Sequence, residues 1–199
     1  YAESKGYAAP DKEITASELM ERFSSMLDSV PAPPAVTEAE VIEMEEGDPE
    51  TYIFISRAKP HPPEPVNLGG DGRLALGRPD SGEQIISSYR NRDGTYNQDE
   101  LNKINRIMRC RLAGEETPVS IKLIEILDAV EDRFGKRGLT LLSGYRTPQL
   151  NSRLLRAARR SLHMLGWAAD IRVPGYSPAK VAAYARKIRA GGVGYYPDI

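Results

Sequence analysis

Two stretches of sequence decide the fold of this 199-residue chain: LTLLSGYRTPQLN, residues 139–151, and SLHMLGWAADIRV, residues 161–173. Each joins a short apolar run to a polar turn, a pattern typical of a buried strand that ends at a cleft. The first delivers Arg146 just after its strand, and the second holds His163 before its strand and Asp170 within it. The pattern therefore predicts two strands, the first of which is placed to deliver Arg146 into a cleft.

Asp170 is the only acidic residue between Leu139 and Pro197, and it follows two alanines inside an apolar run. A buried, unpaired carboxylate costs several kcal/mol, so a cation must compensate it. A metal ion is one candidate, because a neutral imidazole such as His163 and a carboxylate make two of the three protein ligands of a hydrolytic zinc site. The residue types alone leave a second interpretation open, in which Asp170 pairs with an arginine and His163 caps a loop.

Both stretches resemble a known family of enzymes. Residues 143–146 are similar to the motif S-G-(Y/F)-R, and residues 161–170 are similar to S-x-H-x-x-G-x-A-x-D. These motifs mark the zinc-dependent murein endopeptidases and carboxypeptidases of the D-alanyl-D-alanine metallopeptidase group. Residues 191–196 also resemble the strand that precedes the last motif of that family.

The resemblance is specific over 139–196, looser over about 68–138 and absent over 1–66. It implies an α+β fold in which a small, mixed and mainly antiparallel sheet is flanked by helices, with a zinc site in a cleft. The chain accordingly divides into an acidic N-terminal arm with a proline-rich linker, residues 1–66, and a metallopeptidase-like domain, residues 67–199.

The resemblance also implies roles for the residues that match the motifs. His163 and Asp170 become ligands of one zinc ion. Arg146 becomes the residue that binds substrate and stabilises the developing oxyanion, and Ser161 becomes a hydroxyl that contacts substrate. Asn151, one turn into the helix after Arg146, fits better as a residue that fixes the loop than as one that touches substrate.

Two features depart from the family pattern. The segment between the motifs is shorter than in the family, and the chain ends at Ile199, before the His-x-Asp-like motif that supplies the third zinc ligand and part of the acid/base machinery. We therefore expect residues to be missing near residue 157 and after residue 199, and the third ligand and the general base stay unassigned. His61 is an alternative third ligand, although it lies between prolines.

These features predict a zinc peptidase that hydrolyses peptide bonds in the cross-links or stem peptides of peptidoglycan. Endopeptidase and carboxypeptidase activity both stay open, as does the oligomeric state. If the third ligand is absent, the alternative is a non-catalytic peptidoglycan-binding or regulatory module on the same fold. From the family alone we expect export to the periplasm or cell envelope, with a signal that is not in the given sequence.

Charge is distributed unevenly along the chain, although the formal net charge is only -1. Residues 1–66 carry 5 basic and 14 acidic residues, whereas residues 139–199 carry 10 basic and 2 acidic residues. The basic last third suits an anionic partner such as a carboxylate-rich stem peptide. Nucleic acid is not expected, because no aromatic platform or recognition motif accompanies the arginines. The absence of a long apolar run excludes a membrane-spanning helix, and the single Cys110 is expected to be buried and inert.

Capping residues and apolar periodicity predict the remaining elements. The predicted elements are a helix over 14–30, a strand at 52–55, a hairpin of strands at 73–76 and 84–89, helices beginning near Asn97 and Thr117, a helix from Thr147 to about Arg160, a helix from Ser177 and a strand at 193–196.

Overall fold

The computed structural model describes residues 48–155 and 157–196. The predicted helix over 14–30 lies outside these ranges. Within them, no helix has the length and apolar character that crossing a membrane requires. The elements are α1 (Pro49–Ala58), β1 (Leu74–Arg78), β2 (Glu83–Ser87), α2 (Gln98–Ile107), α3 (Ile121–Arg133), β3 (Leu139–Ser143), α4 (Pro148–Arg153), a 3-10 turn (Leu162–Leu165), β4 (Asp170–Arg172) and α5 (Pro178–Ile188).

A four-stranded sheet in the order β2-β1-β3-β4 forms the centre of the fold. β1 pairs antiparallel with β2 and parallel with β3, and β3 pairs antiparallel with β4. The predicted α+β class with a small, mixed and mainly antiparallel sheet is therefore confirmed. An irregularity after Leu141 places Ser143 opposite Asp170, so strand pairing itself brings the two sequence motifs together.

Helices α2 and α4 start at the capping residues that the sequence shows. Helix α3 begins at Ile121 rather than near Thr117 as predicted, because the backbone of Ser120 is not helical, with φ −56° and ψ 126°. Asn97 Oδ1 accepts hydrogen bonds from the first turn of α2, at 3.0 Å from Asp99 N and 3.3 Å from Glu100 N. Thr147 Oγ1 accepts from Leu150 N at 3.2 Å in α4. Each bond satisfies an N–H group that a helix start otherwise leaves unpaired, so both predicted starts are confirmed.

Helix α1 replaces the strand predicted at 52–55. Asp48 caps this helix, because a carboxylate oxygen accepts from Glu50 N at 3.2 Å and Pro49 occupies the first helical position. An apolar run of four residues fits a strand or a helix equally well, and the preceding cap decides between them. The prediction of a strand is wrong for this reason.

Two further elements differ from the predictions near the sequence motifs. Helix α4 ends at Arg153 rather than near Arg160, because Leu154 takes an extended backbone conformation with φ −85° and ψ 119°. In the part of the chain that the structure describes, residues 193–196 form no strand. The backbone around the motifs is therefore more irregular than the sequence indicates.

The hydrophobic core lies between the sheet and helices α2 and α3. Alternate residues of β1 are buried, as expected for a strand with one covered face. The main buried side chains are Leu74, Leu76, Leu139 and Leu141 from the strands, Ile104, Ile107 and Met108 from α2 and its end, and Ile124, Leu127 and Val130 from α3.

Helix α3 also carries three carboxylates within one turn, at Asp128, Glu131 and Asp132, which we call the acidic face. They accept hydrogen bonds from backbone N–H groups that precede or begin β1 and β3. The bonds run from Gly72 N to Asp128 Oδ2 (2.9 Å), Asp71 N to Asp132 Oδ2 (2.9 Å), Ala75 N to Glu131 Oε2 (2.8 Å) and Gly138 N to Glu131 Oε1 (3.0 Å). Because bonds to ionised acceptors are strong, the acidic face fixes β1 against α3.

Asp128 is the most deeply buried member of the acidic face. Its Oδ2 atom accepts from Tyr89 Oη at 2.7 Å in addition to Gly72 N. These two hydrogen bonds lower the pKa of the Asp128 carboxyl, but burial raises it by more. The pKa therefore rises from 3.8 to about 6. The folded protein therefore keeps a proton on Asp128 at pH values where the unfolded chain has lost it.

An Asp128→Asn variant tests this titration. Because the folded pKa lies above the unfolded one, the stability that Asp128 contributes is present below about pH 4 and is lost as the pH rises through about 6. The free energy of unfolding of the protein, measured relative to the variant, should fall by about 3 kcal/mol between about pH 4 and about pH 7. Urea unfolding followed by circular dichroism at each pH measures this difference. A difference that stays constant over the range would contradict the raised pKa.

Candidate active site

A backbone contact with the end of α2 fixes the turn after β3. Tyr145 N donates to Met108 O at 2.7 Å. A Cβ atom on Gly144 would lie 2.4 Å from that same carbonyl oxygen, so only glycine allows the close approach. The contact sets the point from which the side chain of Arg146 extends.

Arg146 is held by three hydrogen bonds. Its Nε donates to Ser143 Oγ at 2.9 Å, its Nη2 donates to Asp170 Oδ2, and its backbone N donates to His163 O at 3.2 Å. The side chain is 16% exposed, so the guanidinium lies at the edge of the protein surface. The bonds to both motifs fix its direction.

His163 lies buried in the 3-10 turn with its ring orientation set by the first motif. Its Nδ1 is 2.8 Å from Gly144 O, and a carbonyl oxygen can only accept, so Nδ1 carries the proton in this contact. In the neutral ring, Nε2 then has the free lone pair, and it lies 3.5 Å from Asp170 Oδ2. The main chain of one motif therefore selects the ring tautomer of the other.

Asp170 receives both basic side chains on one oxygen atom, Oδ2. Burial by itself raises the pKa of the Asp170 carboxyl, but the hydrogen bond and charge that His163 supplies when its ring is protonated, together with the charge of Arg146, outweigh burial and hold the pKa below 3.8. Asp170 is therefore ionised at neutral pH. Its pairing with Arg146 is the contact that the second interpretation of the sequence expects, and His163 approaches the same oxygen.

Two polar residues support this geometry: Ser161, which begins the second motif, and Asn151, which lies between the motifs. Ser161 is buried as the N-cap of the 3-10 turn, and its Oγ accepts from His163 N at 3.4 Å. Asn151 Nδ2 donates to Ala158 O at 3.0 Å, which agrees with the predicted role in fixing the loop. Contact of Ser161 with substrate stays a prediction.

Known proteins match the part of the sequence that contains this cluster. A family model described as peptidoglycan L,D-endopeptidase MepK matches residues 71–199. The chain belongs to the MepK peptidase family. It is 33% identical over 129 residues to the peptidoglycan L,D-endopeptidase MepK of Escherichia coli strain K12, an alignment that covers 62% of this chain and 70% of that protein. A probable peptidoglycan L,D-endopeptidase MepK of Haemophilus influenzae is 28% identical over 123 residues, which cover 59% of this chain and 66% of that protein. No solved structure matches the chain.

The MepK match confirms the family resemblance. It begins at residue 71, so helix α1 lies outside the matched region. Helix α1 still packs against the 3-10 turn that carries His163. Gln149 Nε2 also donates to Tyr52 Oη at 3.4 Å, which joins α1 to α4. The structure around the motifs therefore includes residues that precede the family match.

The two motifs resemble those of zinc-dependent peptidases, and the donor atoms of this chain fit a metal ion. Two ligand atoms on one tetrahedral zinc ion lie roughly 3.3–3.6 Å apart, because each bond is about 2.0–2.2 Å long. His163 Nε2 and Asp170 Oδ2 are 3.5 Å apart, and each offers a lone pair. Imidazole nitrogen and carboxylate oxygen are both ligand types that zinc takes in proteins. These two residues would hold the ion.

The described residues do not supply a third ligand next to His163 and Asp170. Within 48–155 and 157–196, three His, Cys, Asp or Glu donor atoms come mutually within 4.8 Å in one set: Asp71, Asp128 and Asp132. The ammonium of Lys136, 3.2 Å from Asp132 Oδ1, already compensates that set. His61 lies on the proline-rich segment and joins no such set, so its alternative role as third ligand gains no support.

Two residues of the cluster have roles that the sequence analysis misses. Ser143 orients the Arg146 guanidinium, and the carbonyl of Gly144 fixes the ring of His163. Both lie within the S-G-(Y/F)-R motif, so the motif itself is the signal that marks them. Its serine and glycine build the cluster through hydrogen bonding and close packing.

Gly144→Ala tests the backbone contact. The added Cβ would overlap the Met108 carbonyl, so we expect the free energy of unfolding to fall by about 2–3 kcal/mol. Gly192→Ala is the matched control, since a Cβ there meets no atom within 4 Å, and its stability should change little. Urea unfolding of both variants gives the comparison. Equal stability of the two variants would contradict the assigned contact.

Proposed function

We propose that this protein is a zinc-dependent endopeptidase that cleaves peptide bonds within peptidoglycan. The observation that carries the proposal is the convergence of Arg146 and His163 on one oxygen of Asp170, built from the two family motifs. The MepK match supports the substrate class, because the relatives' names state peptidoglycan and an endopeptidase activity at an L,D bond. We therefore favour endopeptidase over carboxypeptidase activity for this chain.

The charge distribution supports the same substrate class. Residues 139–199 carry 10 basic and 2 acidic residues, and peptidoglycan stem peptides carry free carboxylates. A basic surface raises the local concentration of such a polymer and steers its approach. Because peptidoglycan lies outside the cytoplasmic membrane, the proposal includes export of the protein to the periplasm or cell envelope.

His163 and Asp170 are the proposed ligands of one zinc ion. When bound, zinc polarises the scissile carbonyl and lowers the pKa of water to about 7. The bond from His163 Nδ1 to Gly144 O places the proton of the neutral ring on Nδ1, so Nε2, 3.5 Å from Asp170 Oδ2, is the nitrogen that would bind the ion. Ser161 caps the turn that carries His163, and we propose that its hydroxyl also contacts the peptide.

Arg146 is the proposed electrostatic catalyst and substrate contact. Attack on a peptide carbonyl places negative charge on its oxygen, and a fixed guanidinium stabilises that charge. The bond from Arg146 Nε to Ser143 Oγ holds the group before the substrate arrives, so little reorganisation is needed as the charge develops. One well-placed donor of this kind is worth about 3–4 kcal/mol.

Asp170→Ala tests the ligand role. The variant should lose bound zinc, because one of the two proposed ligand atoms is removed. The control variant Asp99→Ala, on the exposed first turn of α2, should keep its zinc. Atomic emission measurement of zinc per full-length chain gives the comparison. Zinc retained at the wild-type level by Asp170→Ala would remove Asp170 from the ligand set.

Arg146→Ala tests the catalytic role separately. We expect this variant to keep zinc, because both proposed ligand atoms remain, and to lose about 10²–10³-fold in the rate of murein digestion, because the stabilisation of the developing charge is removed. Chromatography of the released muropeptides measures the rate, and circular dichroism checks the fold. Loss of zinc in this variant would show that Arg146 supports the metal rather than the reaction.

A chelator control separates the enzyme from a binding module. Wild-type protein should generate new peptide ends in purified murein, and a zinc chelator should abolish them. Protein that pulls down with murein and generates no new ends would support the alternative of a non-catalytic peptidoglycan-binding module.

A further inference from the structure

A groove of about 680 Å³ lies beside the candidate active site. Residues 59–65 of the proline-rich segment form one wall, and α2 with the start of α3 forms another. Leu165 and Trp167 complete the lining, and they belong to the segment that carries His163 and Asp170. A groove of this size accommodates a short peptide or a similar small molecule. The mechanism proposed above makes no use of it.

The first turn of α3 gives this groove a positive end. Ser120 is the N-cap residue, but its side chain makes no capping hydrogen bond, and the first turn contains no acidic residue. No side chain of this first turn therefore accepts from the N–H groups at the start of the 13-residue helix. No acidic side chain of the turn offsets the positive end of the helix dipole. Ser120 and Ile121 both line the groove, so this end of the helix lies at its wall.

The Ser120 hydroxyl is a second, independent sign of a ligand. Ser120 is only 6% exposed, and no described residue forms a hydrogen bond with its Oγ. A buried hydroxyl without a partner is unfavourable, and a serine hydroxyl turns by rotation about one torsion. An acceptor placed in the groove would satisfy it.

Other polar side chains of the lining also offer donors. Lys59 contributes an ammonium group. Asn105 Oδ1 accepts from Val119 N at 2.9 Å, which leaves its NH2 group as the donor end of that side chain. Glu64 lines the groove as well, on the exposed proline-rich wall. Donors at the helix end, together with the Lys59 ammonium on the same proline-rich wall as Glu64, favour an anionic acceptor such as a carboxylate.

We infer that the groove binds a free carboxylate of the substrate's stem peptide, and that it is a second substrate contact next to the cluster of Arg146, His163 and Asp170. The apolar part of the peptide would pack on Leu165 and the Trp167 ring. This inference rests on the proposed function, since it takes peptidoglycan as the substrate. The peptide would then pass along the segment that carries the proposed metal ligands.

Trp167 allows a direct binding test, because it is the only tryptophan in the chain and lines the groove. A short N-acetylated alanine peptide with a free carboxyl group should change the Trp167 fluorescence in a saturable way. The same peptide with a C-terminal carboxamide should bind at least about 10-fold more weakly, because the charged acceptor is lost. Equal responses to the two peptides, or no response to either, would overturn the inference.

Two variants assign the response to the groove. Ser120→Ala should weaken binding of the free-carboxyl peptide about 5–10-fold with an unchanged melting temperature, because its hydroxyl makes no hydrogen bond to any residue that the structure describes. A lowered melting temperature with unchanged binding would identify the hydroxyl as a helix cap and overturn the inference. Lys59→Gln should weaken binding about 3-fold, and Lys187→Gln, an exposed lysine on α5, is its charge-matched control. Equal affinities of these two lysine variants would contradict the role of Lys59.

Arg146→Ala and murein kinetics separate this contact from the proposed catalytic cluster. The fluorescence response should persist in Arg146→Ala with the same midpoint, and its loss there would place the peptide at the catalytic cluster instead. In murein digestion, Ser120→Ala should raise KM about 5–10-fold and leave kcat unchanged. Peptide binding without any murein cleavage would contradict the proposed function and leave the groove in place. Cleavage with an unchanged KM in Ser120→Ala would contradict the groove and leave the proposed function in place.

Discussion

The hydrogen bond from Tyr145 N to Met108 O is the constraint on which the candidate site depends, because it joins the end of β3 to the end of α2. The end of α2 is itself fixed from β1. The buried guanidinium of Arg78 donates to Ile107 O at 2.8 Å and to Arg109 O at 2.9 Å, and so satisfies carbonyl groups that a helix end leaves unpaired. A chain of contacts therefore runs from the centre of the sheet to the turn that carries the site.

The electrostatics of the site follow from this fixed turn. Its carbonyl at Gly144 orients His163, its arginine reaches Asp170, and both basic groups meet at a single carboxylate oxygen. A carboxylate held between two such groups is ionised and positioned before any ligand arrives. On α3, by contrast, the carboxylates of the acidic face bind backbone N–H groups and hold strands in place. The same chemical group thus organises the scaffold in one place and the candidate chemistry in another.

Local sequence predicted the parts of the fold that depend on near neighbours. The caps at Asn97 and Thr147 and the alternating burial of β1 all follow from residues a few positions apart. The strand predicted at 52–55 failed because four apolar residues carry no period long enough to distinguish strand from helix. The short α4 could not be predicted, because the extended backbone of Leu154 breaks a helix that the composition alone would continue.

The candidate site was predicted in its residues but not in its contacts. Arg146, His163 and Asp170 come from motifs, whereas the approach of Gly144 to Met108 joins distant positions, so the motif marks the glycine but not the carbonyl that it meets. The hydrogen bonds of the acidic face were not predicted for the same reason, because Gly72 and Asp128 are 56 residues apart in the sequence. Contacts of this kind join residues that are distant in the sequence and become adjacent only in the folded protein.

Helix α1 gives the domain a boundary that differs from the boundary of its family. The family match begins at residue 71, yet α1 packs on the 3-10 turn, and residues 59–65 form a wall of the groove. A shortened gene product that started at the family boundary would keep every motif and still expose apolar surface of the 3-10 turn. The residues that pack around the two motifs therefore extend beyond the residues that match the family.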